Sequence, residues 1–330
     1  MHAAWYDQRG AAADVLQVGD LPEPAPGPGE VRVRVSVSGI NPGDTKKRSD
    51  WLGAPMPHPR VIPHSDGAGV VDQVGAGVDQ NLLGRRVWVY GAQSYRAGGT
   101  AAQHTVVPAD QAVPLPDAVS EEIGACLGIP GITAHRAVFA DGPVTGQTVL
   151  VHGVLGSVSS MAAQLAHRAG ARVIGTVRRT TDLAALPALQ SSHWLDAVVA
   201  LDGDDPAAAV RDTAPDGVDR IVEVSFSDNA DLDAAVVRNG AVIAAFATRE
   251  ARPAFPFWPM LFENTTLRLL GSDDFPAAAR QEAAAELTRA AADADLVIRW
   301  AQPLPLEHIA RAHDQVDAGS RHRVLLALPS

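Results

Sequence analysis

The sequence predicts an α/β fold in which a doubly wound parallel sheet follows an all-β, barrel-like region. Three observations predict it. Up to Pro116 short apolar runs alternate with Gly/Pro punctuation; after Pro116 that character changes; from there on, strand-length apolar runs alternate with helix-length, alanine-rich stretches. At 330 residues and 46% apolar composition the chain is long enough for two domains with a substantial core each.

In the first region, strands are expected at 31–37, 67–74, 86–89 and 104–107, with loops at Gly27-Pro28-Gly29 and 96–99. In the second, strands are expected at 148–152, 172–177, 198–201, 220–224 and 241–246, separated by helical stretches in βαβ order. A further strand at 265–271 precedes 276–292, whose Ala, Glu, Leu and Arg content favours helix. From 296 onward the pattern reads strand, helix, strand and ends at 324–328.

Composition excludes several classes of function. Lys plus Arg total 27 against 38 Asp plus Glu, and the net charge of -11 repels a polyphosphate backbone, so nucleic acid is not expected as a partner. The single cysteine, Cys126, rules out an internal disulfide and a four-cysteine zinc site. Met1-His2-Ala3-Ala4-Trp5-Tyr6-Asp7 lacks the basic and apolar regions of a secretory signal, and no apolar run approaches spanning length. A cytoplasmic protein that does not enter a membrane is the expectation.

The run Thr148-Val149-Leu150-Val151-His152 is followed by Gly153-Val154-Leu155-Gly156-Ser157-Val158-Ser159 and a helical stretch, 160–168. Strand, tight turn and helix is the order that presents backbone N–H groups to a dinucleotide pyrophosphate. The G-x-G-x-x-G spacing falls on Val154, Gly156 and Ser159, so one fingerprint glycine remains. A left-handed backbone at Ser157 or Ser159 would cost about 1–2 kcal/mol, so ordinary helical angles are expected there. Gly153, Gly156, Ser157 and Val158 are the candidate pyrophosphate residues. The next strand ends in Arg178-Arg179, where a site selective for NAD would carry a carboxylate, and two guanidiniums there favour the 2′-phosphate of NADPH.

Taken in order, Gly39-Ile40-Asn41-Pro42-Gly43-Asp44 with Arg48-Ser49, Asp66-Gly67-Ala68-Gly69-Val70-Val71, Gly128-Ile129-Pro130-Gly131-Ile132-Thr133-Ala134 and Val149-Leu150-Val151-His152-Gly153 resemble the quinone oxidoreductase and zeta-crystallin branch of the medium-chain dehydrogenase/reductases. The resemblance runs over essentially the whole chain. It implies a GroES-like catalytic domain from 1–122 and 272–330, part of the latter packing on the other domain, and a Rossmann-type NADPH-binding domain at 123–271. It also implies a homodimer or tetramer, of which we expect the homodimer.

Zinc alcohol dehydrogenases of the superfamily carry a catalytic Cys and His where this chain has Asn41 and Ser65, with His64 one residue out of register. The resemblance therefore implies chemistry without zinc. His58 and His64, spaced through Pro59 and Pro63, are not expected to bind metal. By position, Asn41 and Thr133 line the nicotinamide and carbonyl site, with Asn41 donating to a substrate oxygen. Phe246, Ala247 and Thr248 lie near the nicotinamide, and Arg323 takes the place of a cofactor-facing lysine.

Two departures remove aromatic surface: Lys46 stands for a tyrosine, and Gly98-Gly99-Thr100 for a Gly-Gly-Tyr segment. Lys46 is a candidate proton donor if partly desolvated, although Lys46-Lys47-Arg48 reads first as a solvated charge run. The segment Phe255-Pro256-Phe257-Trp258-Pro259-Met260-Leu261-Phe262 reads equally as a pocket wall or as core or subunit packing. The function implied is hydride transfer from NADPH to a quinone or α,β-unsaturated carbonyl. Two alternatives stay open, an enoyl reductase of a biosynthetic pathway and a non-catalytic NADPH-binding sensor or scaffold.

Overall fold

The computed structural model describes residues 1–50, 53, 55–186 and 194–329. The chain divides into two compact units, Met1–Ile132 with Arg280–Ala294 and Ile298–Ser330, and Thr133–Ala279 with Asp295–Val297.

The first unit is built on β1 (His2–Trp5), β2 (Gln17–Asp20), β3 (Glu30–Gly39), β4 (Asp66–Val74), β5 (Arg86–Val89), β6 (His104–Pro108) and β7 (Ala112–Pro114). The C-terminal segment returns to it with β14 (Leu304–Pro305) and β15 (Leu325–Ala327). Its main sheet runs β14-β15-β3-β4-β5-β7, with β6 also paired to β3, while β1 and β2 form a hairpin-like pair. Strand β3 shows why the residues choose this form. Val31, Val33, Val35 and Val37 alternate with Arg32, Arg34 and Ser36; all four valines are buried, and the first three pack in one cluster with Val71, Val87, Val89 and Leu326. Each buried valine contributes about 1.5–3 kcal/mol. Outward, Arg32 forms a two-point ion pair with Asp72 of β4. The helices belonging to this unit include α1 (Ala12–Val15), α2 (Pro42–Ser49), α3 (Glu121–Leu127) and α10 (Ile309–Asp317). Two more, α4 (Ile129–Phe139) and α9 (Ala277–Ala292), contain the divisions after Ile132 and Ala279. The chain therefore changes unit inside a helix, later than the change in composition suggested.

The second unit holds β8 (Thr148–Val151), α5 (Ser157–Arg168), β9 (Arg172–Val177), β10 (Ala197–Ala200), α6 (Pro206–Thr213), β11 (Val218–Glu223), α7 (Phe226–Val236), β12 (Val237–Ala245), α8 (Phe257–Phe262) and β13 (Thr266–Leu269). Its sheet order is β10-β9-β8-β11-β12-β13, and every pairing is parallel. The order is the doubly wound one expected from the alternating pattern. Val149, Leu150 and Val151 are all fully buried, which is why β8 reads as a continuous apolar run rather than an alternating one. The chain moves outward from β8 on one side and from β11 on the other. The switch point of the sheet therefore lies between the carboxyl ends of β8 and β11.

Candidate functional site

Because all six strands of the second unit are parallel, the segments after β8, β9, β11 and β12 emerge at one sheet edge. Nine of the ten cofactor candidates lie there. Gly153 has φ +65, where an L side chain costs about 1–2 kcal/mol. An added Cβ would also stand 3.2 Å from Val224 Cγ1. Gly156 is extended and exposed and caps α5, which starts at Ser157, three residues earlier than expected. Ser157 and Ser159 are both helical and neither has positive φ, so a loop short of glycines keeps its form. Ser159 packs fully buried, while Ser157 and Val158 remain partly exposed. First-turn amides of a helix lack intrahelical acceptors and present partial positive charge, the requirement for holding a phosphate.

Arg178 and Arg179 follow β9 and are exposed. Phe246, Ala247 and Thr248 follow β12 and are partly exposed. The Phe246 amide donates to Glu223 O, and the Phe226 amide donates to Ala247 O, so this segment is fastened to β11 and α7. Thr133 lies in α4 and is buried.

A different polar cluster lies in the first unit. Asn41 caps α2, its amide nitrogen donating to Asp44 Oδ2 at 2.7 Å. Its side-chain Nδ2 donates to Asp66 Oδ2 at 2.8 Å, and its Oδ1 accepts from Arg323 Nη1 at 2.8 Å. Arg323 also donates to Ile40 O at 2.7 Å and approaches Asp66 Oδ2 at 3.4 Å. The Arg323 guanidinium is buried on Asn41 and Asp66. One N–H of the Asn41 amide is donated to Asp66. Asp66 itself is fully buried, and its Oδ1 accepts from the Ile129 amide at the start of α4 at 2.8 Å. Burial pushes its carboxyl up to about 7, against the opposing pull of Arg323, the Ile129 amide and Asn41. Gly128 admits this carboxylate, since a Cβ there would lie 2.2 Å from Asp66 Oδ1. Sequence reasoning quoted Asp66 within a motif without assigning it to the site.

The 46–48 run is not the solvated face expected. Lys46 and Lys47 are partly exposed, but Arg48 is buried and donates to Gly10 O, to His313 Nδ1 at 3.3 Å and to Asp317 Oδ2 at 2.9 Å. Arginine can only donate, so His313 carries its hydrogen on Nε2 and donates to His64 Nε2, 2.8 Å away. His64 Nδ1 then donates to Ser38 Oγ at 2.9 Å, and Ser38 reaches Thr100 Oγ1 at 2.8 Å. The chain terminates at Asp66 O, the acceptor for Thr100. Burial depresses both imidazoles, His313 to about 3, which keeps them neutral. His64 is a satisfied core histidine.

A buried trio, of which only His152 falls in a quoted motif, lies in the second unit. His152 Nε2 lies 2.9 Å from Asp233 Oδ1 and 3.5 Å from Glu223 Oε2, and all three side chains are buried. The Asn229 amide donates to both Glu223 oxygens at 3.1 Å. A sequence signal is that His152 directly follows β8 and Glu223 ends β11, the two strands that flank the switch point. Asp233, mid-helix in α7, is reached only by folding.

Residues 27–117 match the family described as the alcohol dehydrogenase GroES-like domain. Human quinone oxidoreductase is 28% identical over 300 residues, covering 86% of this chain and 83% of that one. The first unit carries a GroES-like domain, and over most of its length the chain is similar to quinone oxidoreductases. Among solved structures, the chain superposes on an NAD-dependent alcohol dehydrogenase with a TM-score of 0.86 at 27% identity, over 100% of both chains. It superposes on a mycobacterial protein complexed with NADPH with a TM-score of 0.82 at 25% identity, again over 100% of both chains. No helix among the described residues is long and apolar enough to cross a membrane.

Proposed function

We propose that this chain is an NADPH-dependent oxidoreductase that reduces a quinone or an α,β-unsaturated carbonyl without zinc. The observation that carries the reading is one sheet edge combining an exposed Gly156 at the start of a twelve-residue helix with two exposed arginines after the neighbouring strand. The α5 amides suit a pyrophosphate, and Arg178 and Arg179 suit a 2′-phosphate that an acidic residue would repel. The bound nicotinamide supplies a hydride, which with one proton from solvent converts a quinone to a hydroquinone or an enone to the saturated carbonyl. Asn41 offers its remaining N–H to the acceptor oxygen. Arg323 and Asp66 fix the amide by holding its Oδ1 and its other N–H, so the donor is oriented before substrate arrives.

The residues at the family's zinc position do not fit the metal. Asn41 brings an amide in place of a thiolate, His64 has its Nε2 spent on His313, and the Arg323 cation sits on Asn41 and Asp66. A homodimer is part of the same proposal, supported by the edge position of β13 and the apolar residues beside it.

The test is NADPH against NADH oxidation over a panel of quinones and enones. Arg178→Ala and Arg179→Ala are each expected to raise the KM for NADPH about 10- to 100-fold and leave that for NADH within about threefold, the range of one charge-assisted hydrogen bond to phosphate. Unchanged NADPH preference in both variants removes the 2′-phosphate assignment. Turnover with neither acceptor class removes the reaction.

A further inference from the structure

The buried trio sits under the segment that would hold the pyrophosphate, and its hydrogen bonds lead to two backbone amides of that edge. Two carboxylates face His152 Nε2, so that nitrogen carries hydrogen. The other, Nδ1, pairs with Thr176 Oγ1 at 3.1 Å. Thr176 is fully buried at the end of β9, and its Oγ1 has a lone pair left for the Gly153 amide, which donates to it at 3.2 Å. The Val154 amide donates to Thr176 O at 3.0 Å. Thr176 therefore fastens the first two residues of the loop with side chain and main chain. On β11, which pairs with β8 on the side away from β9, Glu223 Oε1 accepts from the Ser225 amide, which opens the segment after β11.

We propose that Thr176, held in place by His152 and through it by Asp233 and Glu223, is a positioning residue for the dinucleotide loop, setting cofactor affinity through the Gly153 amide. Gly153 occupies the left-handed region, and without a partner the direction of its partly buried amide is free to turn. The hydroxyl fixes that peptide plane before the cofactor arrives, so less ordering is paid on binding. A metal ion is not what the trio is built for. The contact of 2.9 Å between His152 Nε2 and Asp233 Oδ1 is a hydrogen-bond distance, and the Glu223 oxygens already accept from Asn229 and Ser225.

The inference rests on the NADPH reading, and the experiment separates the two. NADPH binding is titrated by its fluorescence, alongside steady-state kinetics, in wild type, Thr176→Val and Thr176→Ser. Thr176→Val keeps shape and loses the hydroxyl. It is expected to raise the Kd and KM for NADPH about tenfold with kcat at saturating NADPH within about twofold, while Thr176→Ser stays within about threefold of wild type. Thr176→Ala gives the same reading if the valine form does not fold. A wild type that binds no NADPH removes both proposals. A wild type that binds it, with valine and alanine forms matching it, or a serine form as weak as they are, overturns this one alone. So does zinc at one equivalent in purified wild type that is lost in Asp233→Asn.

Discussion

Asp66 shows how burial and partners together set the behaviour of one residue. Its carboxyl is fully buried with a folded-state pKa near 7, above the 3.8 of a free aspartate. Between those values the native state binds more protons than the unfolded chain, so stability is greatest at the acid end and falls as pH rises toward 7. Asp66→Asn cannot titrate. The difference in urea midpoint between wild type and Asp66→Asn is therefore expected to move in favour of the variant between pH 4.5 and 7, by about 1.4 kcal/mol per pH unit at the steepest, and to level off above. An unchanged difference at pH 5 and pH 8 would refute the raised value. Arg48 and Arg323 make a related point. A basic residue in a sequence reads as surface charge, and both are buried because each finds carbonyl and side-chain acceptors in segments far away in the chain, Asp317 for Arg48 and Ile40 for Arg323.

At the scale of elements, the turn between β8 and α5 depends on a glycine outside the fingerprint spacing. Gly153 supplies the left-handed residue, and Gly153→Ala is expected to cost about 1–2 kcal/mol for the backbone alone in urea or thermal unfolding. A loss below about 0.3 kcal/mol would show that the turn relaxes without strain. Most of the α8 segment is exposed. Met260 is buried, but Phe262 is 71% exposed, Trp258 64% and Leu269 of β13 73%. These apolar side chains lie on and beside the strand that ends the six-stranded sheet. An unpaired strand edge flanked by apolar surface is a site for association. Trp258→Glu with Phe262→Glu is expected to convert a dimer to a monomer in sedimentation velocity. A wild-type monomer, or a double variant that remains dimeric, argues against this face.

For the whole molecule, ligand binding and stability are linked. If the proposed cofactor is right, NADPH at 100 times its Kd is expected to stabilise the native state by about 2.7 kcal/mol. For a unit of the size of Thr133–Ala279 that is a rise of about 5–10 °C in the thermal midpoint. NADH at the same concentration is expected to give less, and Arg178→Ala to erase the difference. Equal shifts from both nucleotides in wild type would point to a cofactor preference set elsewhere. The net charge of -11 supplies no attraction for an anionic cofactor, so affinity has to come from the local groups at the sheet edge.

Periodicity and order along the chain were enough to determine the doubly wound sheet, the valine alternation of β3 and the strand–turn–helix that presents Gly156, Ser157 and Val158. These are local properties, because two-residue and 3.6-residue repeats and tight turns are written within a dozen neighbouring residues. The candidate arginines after β9 were legible for the same reason. Tertiary structure alone decided which polar groups meet. Asn41 with Asp66 and Arg323, His64 with His313, and His152 with Thr176, Glu223 and Asp233 pair residues separated by 24 to 282 positions. Their partners are set by strand order and burial, which no local pattern records, and burial is what turns an ordinary carboxylate, imidazole or guanidinium into a fixed part of a site.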